Sequence, residues 1–260
     1  MLKKLLKYDL KSLFKFLIVF YSLSIFFAIF TRIFLNINGS FMMNIIGQIC
    51  SGTTIAMMAN ILINNIIRLW VRFKNNFYGD ESYLTHTLPV EKRTLYLSKI
   101  ITTITTLLVS ILVIVLTLFI AYYSKENLII LKEFFIKSFN GNFMKLLIGI
   151  LFIFFIEILS AIQAGYTGII LGHKMNNNKI VFSILYGFLS YVVTQVLCLL
   201  LLYIISLFNG DISNLFMTNS IININIFKIL FYVASLIYIV LLIIIYFINI
   251  RLFKRGVNVD

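Results

Sequence analysis

Six apolar stretches, at about 16–35, 42–67, 100–123, 146–171, 180–208 and 226–250, leave this chain few ways to fold. A hydrocarbon layer about 30 Å thick is crossed by about 20 apolar residues of helix, and each stretch reaches that length. Backbone amides inside lipid have no water to bond, so a crossing segment satisfies them internally as a helix. A single proline in 260 residues leaves such helices unbroken. The sequence therefore predicts an all-α integral membrane protein, one domain of six transmembrane helices. A soluble domain that is 61% hydrophobic and 12% charged could not cover its own surface.

The formal net charge of +13 would suit nucleic acid, but the basic residues cluster at the ends of the apolar stretches. No soluble basic domain is left to hold a duplex, so lipid headgroups are the expected partner and nucleic acid is excluded. Cys50 and Cys198 fall inside apolar runs and read as small buried hydrophobes.

Lys4, Lys7, Lys11 and Lys15 share one helical stripe of the first fifteen residues, and Leu6, Leu10, Leu13 and Leu17 share another. That pattern predicts an amphipathic helix, 1–15, lying in the membrane interface ahead of an uncleaved first span. A second interfacial helix is expected between 124 and 145, where Leu128, Leu131, Phe135 and Phe139 fall on one face. Ala161, Gly165, Gly168 and Gly172 form a close-packing stripe in the fourth span. Six crossings return the chain to the side on which it began. Sixteen of the 22 lysines and arginines fall on the side of the termini and six on the other, so the positive-inside rule places both termini in the cytoplasm.

The same side carries the loop between the second and third spans, a polar island running Phe77-Tyr78-Gly79-Asp80-Glu81-Ser82-Tyr83-Leu84-Thr85-His86-Thr87-Leu88-Pro89-Val90. Gly79 and Asp80 suit a turn and an N-cap, Glu81 the first helical turn, and Pro89 a stop. A helix of about two turns is expected, with Tyr83, Leu84 and Leu88 free to dock. A solvated inter-helix loop is the plain alternative.

Gly-Asp-Glu-x-Tyr-Leu-Thr-His-Thr-Leu-Pro-Val at 79–90 resembles the loop between the second and third spans of type-2 ABC export permeases. The resemblance is specific over residues 77–90 and extends to the rest of the chain only in hydropathy. It implies that the loop carries a coupling helix seated in a groove of a separate ATP-binding subunit, with Asp80, Glu81, Tyr83, Leu84, Thr85, His86 and Leu88 at the contact. It implies also a second permease, identical or paralogous, and an N-terminal elbow helix. Cofactors would be absent from this chain, ATP and magnesium being bound by the partner. The first, second and fifth spans would line the interface between halves, and residues 209–225 would form an outer re-entrant hairpin. Export of a hydrophobic or amphipathic substrate, such as a peptide, drug or lipid, is the implied activity.

The residues themselves agree that ATP is handled elsewhere, because no G-x-x-x-x-G-K-[ST] stretch occurs. His86 and His173 lack both metal-ligand spacing and a carboxylate on a shared helical face. Glu157 is the lone carboxylate within a span, where charge is costly, so it is a functional candidate by default. The packing alternative is a neutral, hydrogen-bonded acid locking the fourth span to a neighbour, and the small-residue stripe around it favours that reading. Tyr191 and Gln195 either line a translocation surface or tie helices together. Two other functions compete with transport: a membrane-embedded immunity or sensor protein with no ATPase, and an intramembrane enzyme built on Glu157. A bias towards asparagine, lysine and isoleucine fits an AT-rich bacterial genome and hence a plasma membrane.

Overall fold

The computed structural model describes residues 2–37, 40–124, 127–130, 132–133, 143–208 and 224–255. They are helical, without a strand among them: α1 Leu2–Leu35, α2 Phe41–Phe77, α3 Ser82–Thr87, α4 Lys92–Tyr122, α5 Phe143–Gly172, α6 Lys179–Phe208 and α7 Ile224–Lys254. All but α3 are long and apolar enough to cross a membrane. Residues 127–130 are also helical, while most of the expected second interfacial helix, and the expected hairpin at 209–225, lie outside the described residues.

The first helix differs from expectation. No break separates 1–15 from the first span; α1 is one helix of 34 residues. The reason is its buried stripe, Asp9, Leu13, Leu17, Tyr21, Ser24, Ala28 and Thr31, which runs at steps of three and four residues straight through the expected boundary at Lys15. Lys4, Lys7, Lys11 and Lys15 are exposed. Helix α2 likewise runs about ten residues beyond its apolar part, because Arg68 to Asn76 contains no glycine or proline to stop it. It ends at Phe77, and the N–H groups of Tyr78 and Gly79 just beyond both bond to the Lys74 carbonyl.

Packing divides the chain into two compact units, Met1–Arg72 with Arg93–Lys132, and Phe73–Lys92 with Glu133–Asp260. In the first, hydroxyls and amides tie α1, α2 and α4 together within an apolar surround of Leu17, Tyr21 and Ile61. The Tyr21 hydroxyl lies 2.8 Å from Ser110 Oγ, which also accepts from Asn65 Nδ2 at 2.8 Å. Thr31 meets Thr54 at 3.0 Å, and Ser51 meets Tyr122 at 2.6 Å. Helices in lipid gain little from apolar burial against each other, and such cross-helix bonds contribute roughly 0.6–2 kcal/mol each.

At the end of the same three helices Asp9 is buried, its Oδ1 accepting from Arg72 Nε at 3.2 Å and its Oδ2 from Lys99 Nζ at 2.6 Å. One carboxylate thus joins α1 to α2 and α4.

In the second unit α5 packs most extensively on α6, then on α7. The glycine stripe explains the closeness: a Cβ on Gly168 would overlap the backbone of Ser183 and Gly187, and one on Gly172 would overlap Ser183. Between α5 and α6 the chain turns at Asn178, whose φ of 50° is a left-handed conformation that asparagine tolerates better than most residues.

Candidate functional site

The loop between α2 and α4 belongs to the second unit. Its root is aromatic. Phe73, at the end of α2, stacks on Tyr166 of α5 with centroids 4.3 Å apart and rings 20° from parallel. One turn later Phe77 meets Phe253 of α7 edge-on at 4.7 Å. Tyr78 stacks on His173, just past α5, at 4.4 Å. Phe73, Phe77, Tyr78, Tyr166 and Phe253 are all fully buried, and such ring pairs add about 0.5–1.5 kcal/mol each beyond burial itself. His173 is fixed by Nδ1, 2.8 Å from the Ile169 carbonyl oxygen. The Tyr78 hydroxyl is buried without a hydrogen-bond partner, and burial pushes its pKa well above the ordinary tyrosine range.

From this root α3 projects as six residues. The expected N-cap at Asp80 is not observed: the cap position is Glu81, its backbone helical at φ −85° and ψ −4°, and no side chain closes the turn. Asp80 stands free because Gly79 and Asp80 are used up in the turn, where the Gly79 carbonyl accepts from Ser82 N–H. The far end is as expected. Leu88 is extended, at φ −63° and ψ 135°, as the residue before a proline must be.

The residues expected at the contact divide into two groups. Tyr83 is 76% exposed, Leu84 69% and Leu88 42%, and Asp80 and Glu81 are exposed beside them. Thr85 and His86 are half-buried. Thr85 donates its hydroxyl to the Glu81 carbonyl at 2.9 Å, and His86 Nε2 lies 3.2 Å from the Phe77 carbonyl oxygen, with its ring 6.2 Å from that of Phe253. The arrangement is a small apolar tip with an acidic edge, held on a rigid aromatic base. Lys92 Nζ, 5.9 Å from the Phe253 ring centroid, closes the base where the chain enters α4.

Glu157 of α5 comes together with Tyr191 and Gln195 of α6. The Tyr191 hydroxyl and Gln195 Nε2 both donate to Glu157 Oε1, each at 2.6 Å. Gln195 Oε1 in turn accepts from the Tyr238 hydroxyl at 2.5 Å. The four side chains make one ladder across three helices, and all four are half-buried. Tyr191 and Gln195 meet the same carboxylate because they are one turn apart on α6.

Sequence reasoning missed Tyr238, Phe253 and Asp9. Tyr238 and Phe253 are ordinary aromatic residues in an aromatic-rich apolar run. Asp9 did carry a signal, as the one acid in a lysine-rich segment, placed four residues before Leu13 on the apolar stripe. Among the described residues no three histidine, cysteine, aspartate or glutamate side chains are grouped to hold a metal.

No protein-family model matches this chain, and no curated protein or solved structure matches it either.

Proposed function

We propose that this chain is the membrane-spanning subunit of an ATP-driven exporter of the type-2 ABC kind, working beside a second copy or a paralogue in a bacterial plasma membrane. A separate chain binds ATP and magnesium and docks on α3, and a hydrophobic or amphipathic substrate is moved outward. The termini and α3 then lie in the cytoplasm, in keeping with the sixteen-to-six distribution of basic residues.

The observation that carries the reading is the division of labour in the α2–α4 loop. A solvated connector has no need of a base built from Phe73, Phe77, Tyr78, Tyr166 and Phe253, nor of Tyr83 and Leu84 held out to solvent above it. An aromatic and a leucine on a rigid support are what a protein groove would grip, and a central aromatic in such a contact is worth on the order of 2 kcal/mol or more.

The test is copurification. The tagged chain, extracted from its native membrane, is expected to bring down an ATP-binding subunit. Tyr83→Ala and Leu84→Ala, which leave the spans untouched, each reduce that recovery about thirtyfold, the equivalent of 2 kcal/mol. Full recovery and full coupled ATP hydrolysis in both variants would remove the loop as coupling element and with it the transporter reading.

A further inference from the structure

Beyond transport in general, the ladder at Glu157 speaks to what is carried. A carboxylate inside hydrocarbon is costly unless something in the membrane answers its charge. Its partners here, Tyr191 and Gln195, are neutral donors that both use Oε1, and Tyr238, the next member of the ladder, is neutral as well. No lysine, arginine or histidine occurs in 148–172, 180–208 or 231–250, the apolar lengths of α5, α6 and α7. These three helices therefore orient the carboxylate with hydroxyl and amide groups and supply no cation within their apolar lengths.

The surroundings limit what could supply one. Glu157 is half-buried, so it is open on one side of the helix group. One turn away on the same helical faces stand Phe154 and Leu199, 45% and 62% exposed. Phe154 and Leu199 offer a small hydrated ion nothing to replace its water. An ammonium group on a hydrocarbon body meets the carboxylate with its charge and the phenylalanine and leucine with its tail.

Resting on the exporter reading, we infer that Glu157 is the recognition point for a lipophilic primary ammonium, with Tyr191, Gln195 and Tyr238 as the positioning residues that aim its carboxylate. The site takes cationic amphiphiles in preference to neutral ones of the same shape.

The chain alone, in bilayers of phosphatidylglycerol and phosphatidylcholine, is labelled with a diazirine-bearing alkylammonium and, separately, with the alkanol of equal length. Mass spectrometry locates the adducts. The ammonium probe is expected to mark α5 and α6 around Glu157 at least tenfold more strongly than the alkanol does. Glu157→Gln, which keeps the volume and the acceptor for both donors, abolishes that preference while the alkanol adducts stay. Tyr191→Phe weakens the preference less, because Gln195 still holds the carboxylate.

Protection by added phosphatidylethanolamine identifies the occupant as a membrane lipid of the same chemistry, whereas protection by soluble alkylamine alone identifies a transported solute. Equal labelling by ammonium and alkanol, or an unchanged preference in Glu157→Gln, overturns the inference. So does loss of self-association in that variant with labelling retained, which would assign the ladder to a contact between copies. Because no ATP-binding chain is present in the assay, its outcome is separate from the copurification result that tests the exporter reading.

Discussion

His86 reaches back nine residues to Phe77, its Nε2 3.2 Å from the carbonyl oxygen of the last residue of α2. The same ring faces Phe253 across 6.2 Å. One side chain thus closes the end of α2 and sets the angle at which α3 leaves the base. His86 acts on the tip of α3 from below, through the placement of Tyr83 and Leu84.

Removing either partner should loosen the loop by different amounts. His86→Ala loses a hydrogen bond worth about 1 kcal/mol, whereas Phe253→Ala empties a fully buried site at a cost of about 3–5 kcal/mol. Limited trypsin digestion at Lys92 and Arg93 reads the difference. Cleavage is expected to accelerate modestly in the first variant and strongly in the second.

Tyr78→Phe should stabilise the protein. Its hydroxyl is buried without a partner, and an unsatisfied buried hydroxyl costs about 1–3 kcal/mol. Alkali should separate the two proteins further. The folded state raises the pKa of Tyr78 above its unfolded value, so the stability attached to the neutral phenol is complete below about pH 10 and is lost as pH rises towards the folded pKa. Thermal unfolding in detergent from pH 8 to 11 should show a decline in the wild type that is smaller in the phenylalanine variant.

Asp9→Asn leaves Arg72 and Lys99 without the charge they share at 3.2 and 2.6 Å. Breaking a buried ion pair by removing one partner costs about 3–5 kcal/mol, so this single exchange near the N-terminus should lower thermal stability more than any lysine-to-glutamine change on the exposed stripe of α1. A melting temperature within error of wild type would show that the trio is solvated.

Two glycines should behave oppositely. A methyl at Gly168 meets the backbone of Ser183 and Gly187, which cannot step aside without separating α5 from α6, while nothing lies within 4 Å of a methyl at Gly52. Gly168→Ala should therefore reduce yield and folded fraction, and Gly52→Ala should be neutral or slightly stabilising through helix propensity of about 1 kcal/mol. Size-exclusion profiles of the two variants make the comparison.

Orientation is tested with Asp80→Cys and Asn127→Cys, both at exposed positions. An impermeant thiol reagent added to intact cells should label position 127 and spare position 80. Labelling at 80 would reverse the orientation proposed from the basic residues.

The six long apolar helices were legible because the cost of exposing polar groups to hydrocarbon is local, residue by residue, and shows in any window of the sequence. The tip of α3 was legible for a related reason: Pro89 fixes its end, and Tyr83 and Leu84 are apolar where their neighbours are not. What escaped were pairings between distant positions. Asp9 finds Arg72 and Lys99 across 63 and 90 residues, and Tyr238 reaches Gln195 across 43. No local period records such partners. The continuity of α1 was hidden by its lysines, which suggested an interfacial helix, whereas the buried stripe beneath them carries on past Lys15.

The aromatic base also orders events in time. Phe73, Phe77 and Tyr78 are synthesised before Tyr166 and His173, and Phe253 follows only at the end of α7, so the pocket that buries their rings exists only once α7 has been made. Until then α3 hangs from an unfinished support, and its tip has no fixed direction. A chain lacking α7 would keep its earlier helices yet leave α3 without its ordered base. In the exporter reading, recruitment of the ATP-binding subunit therefore waits until α7 is in place.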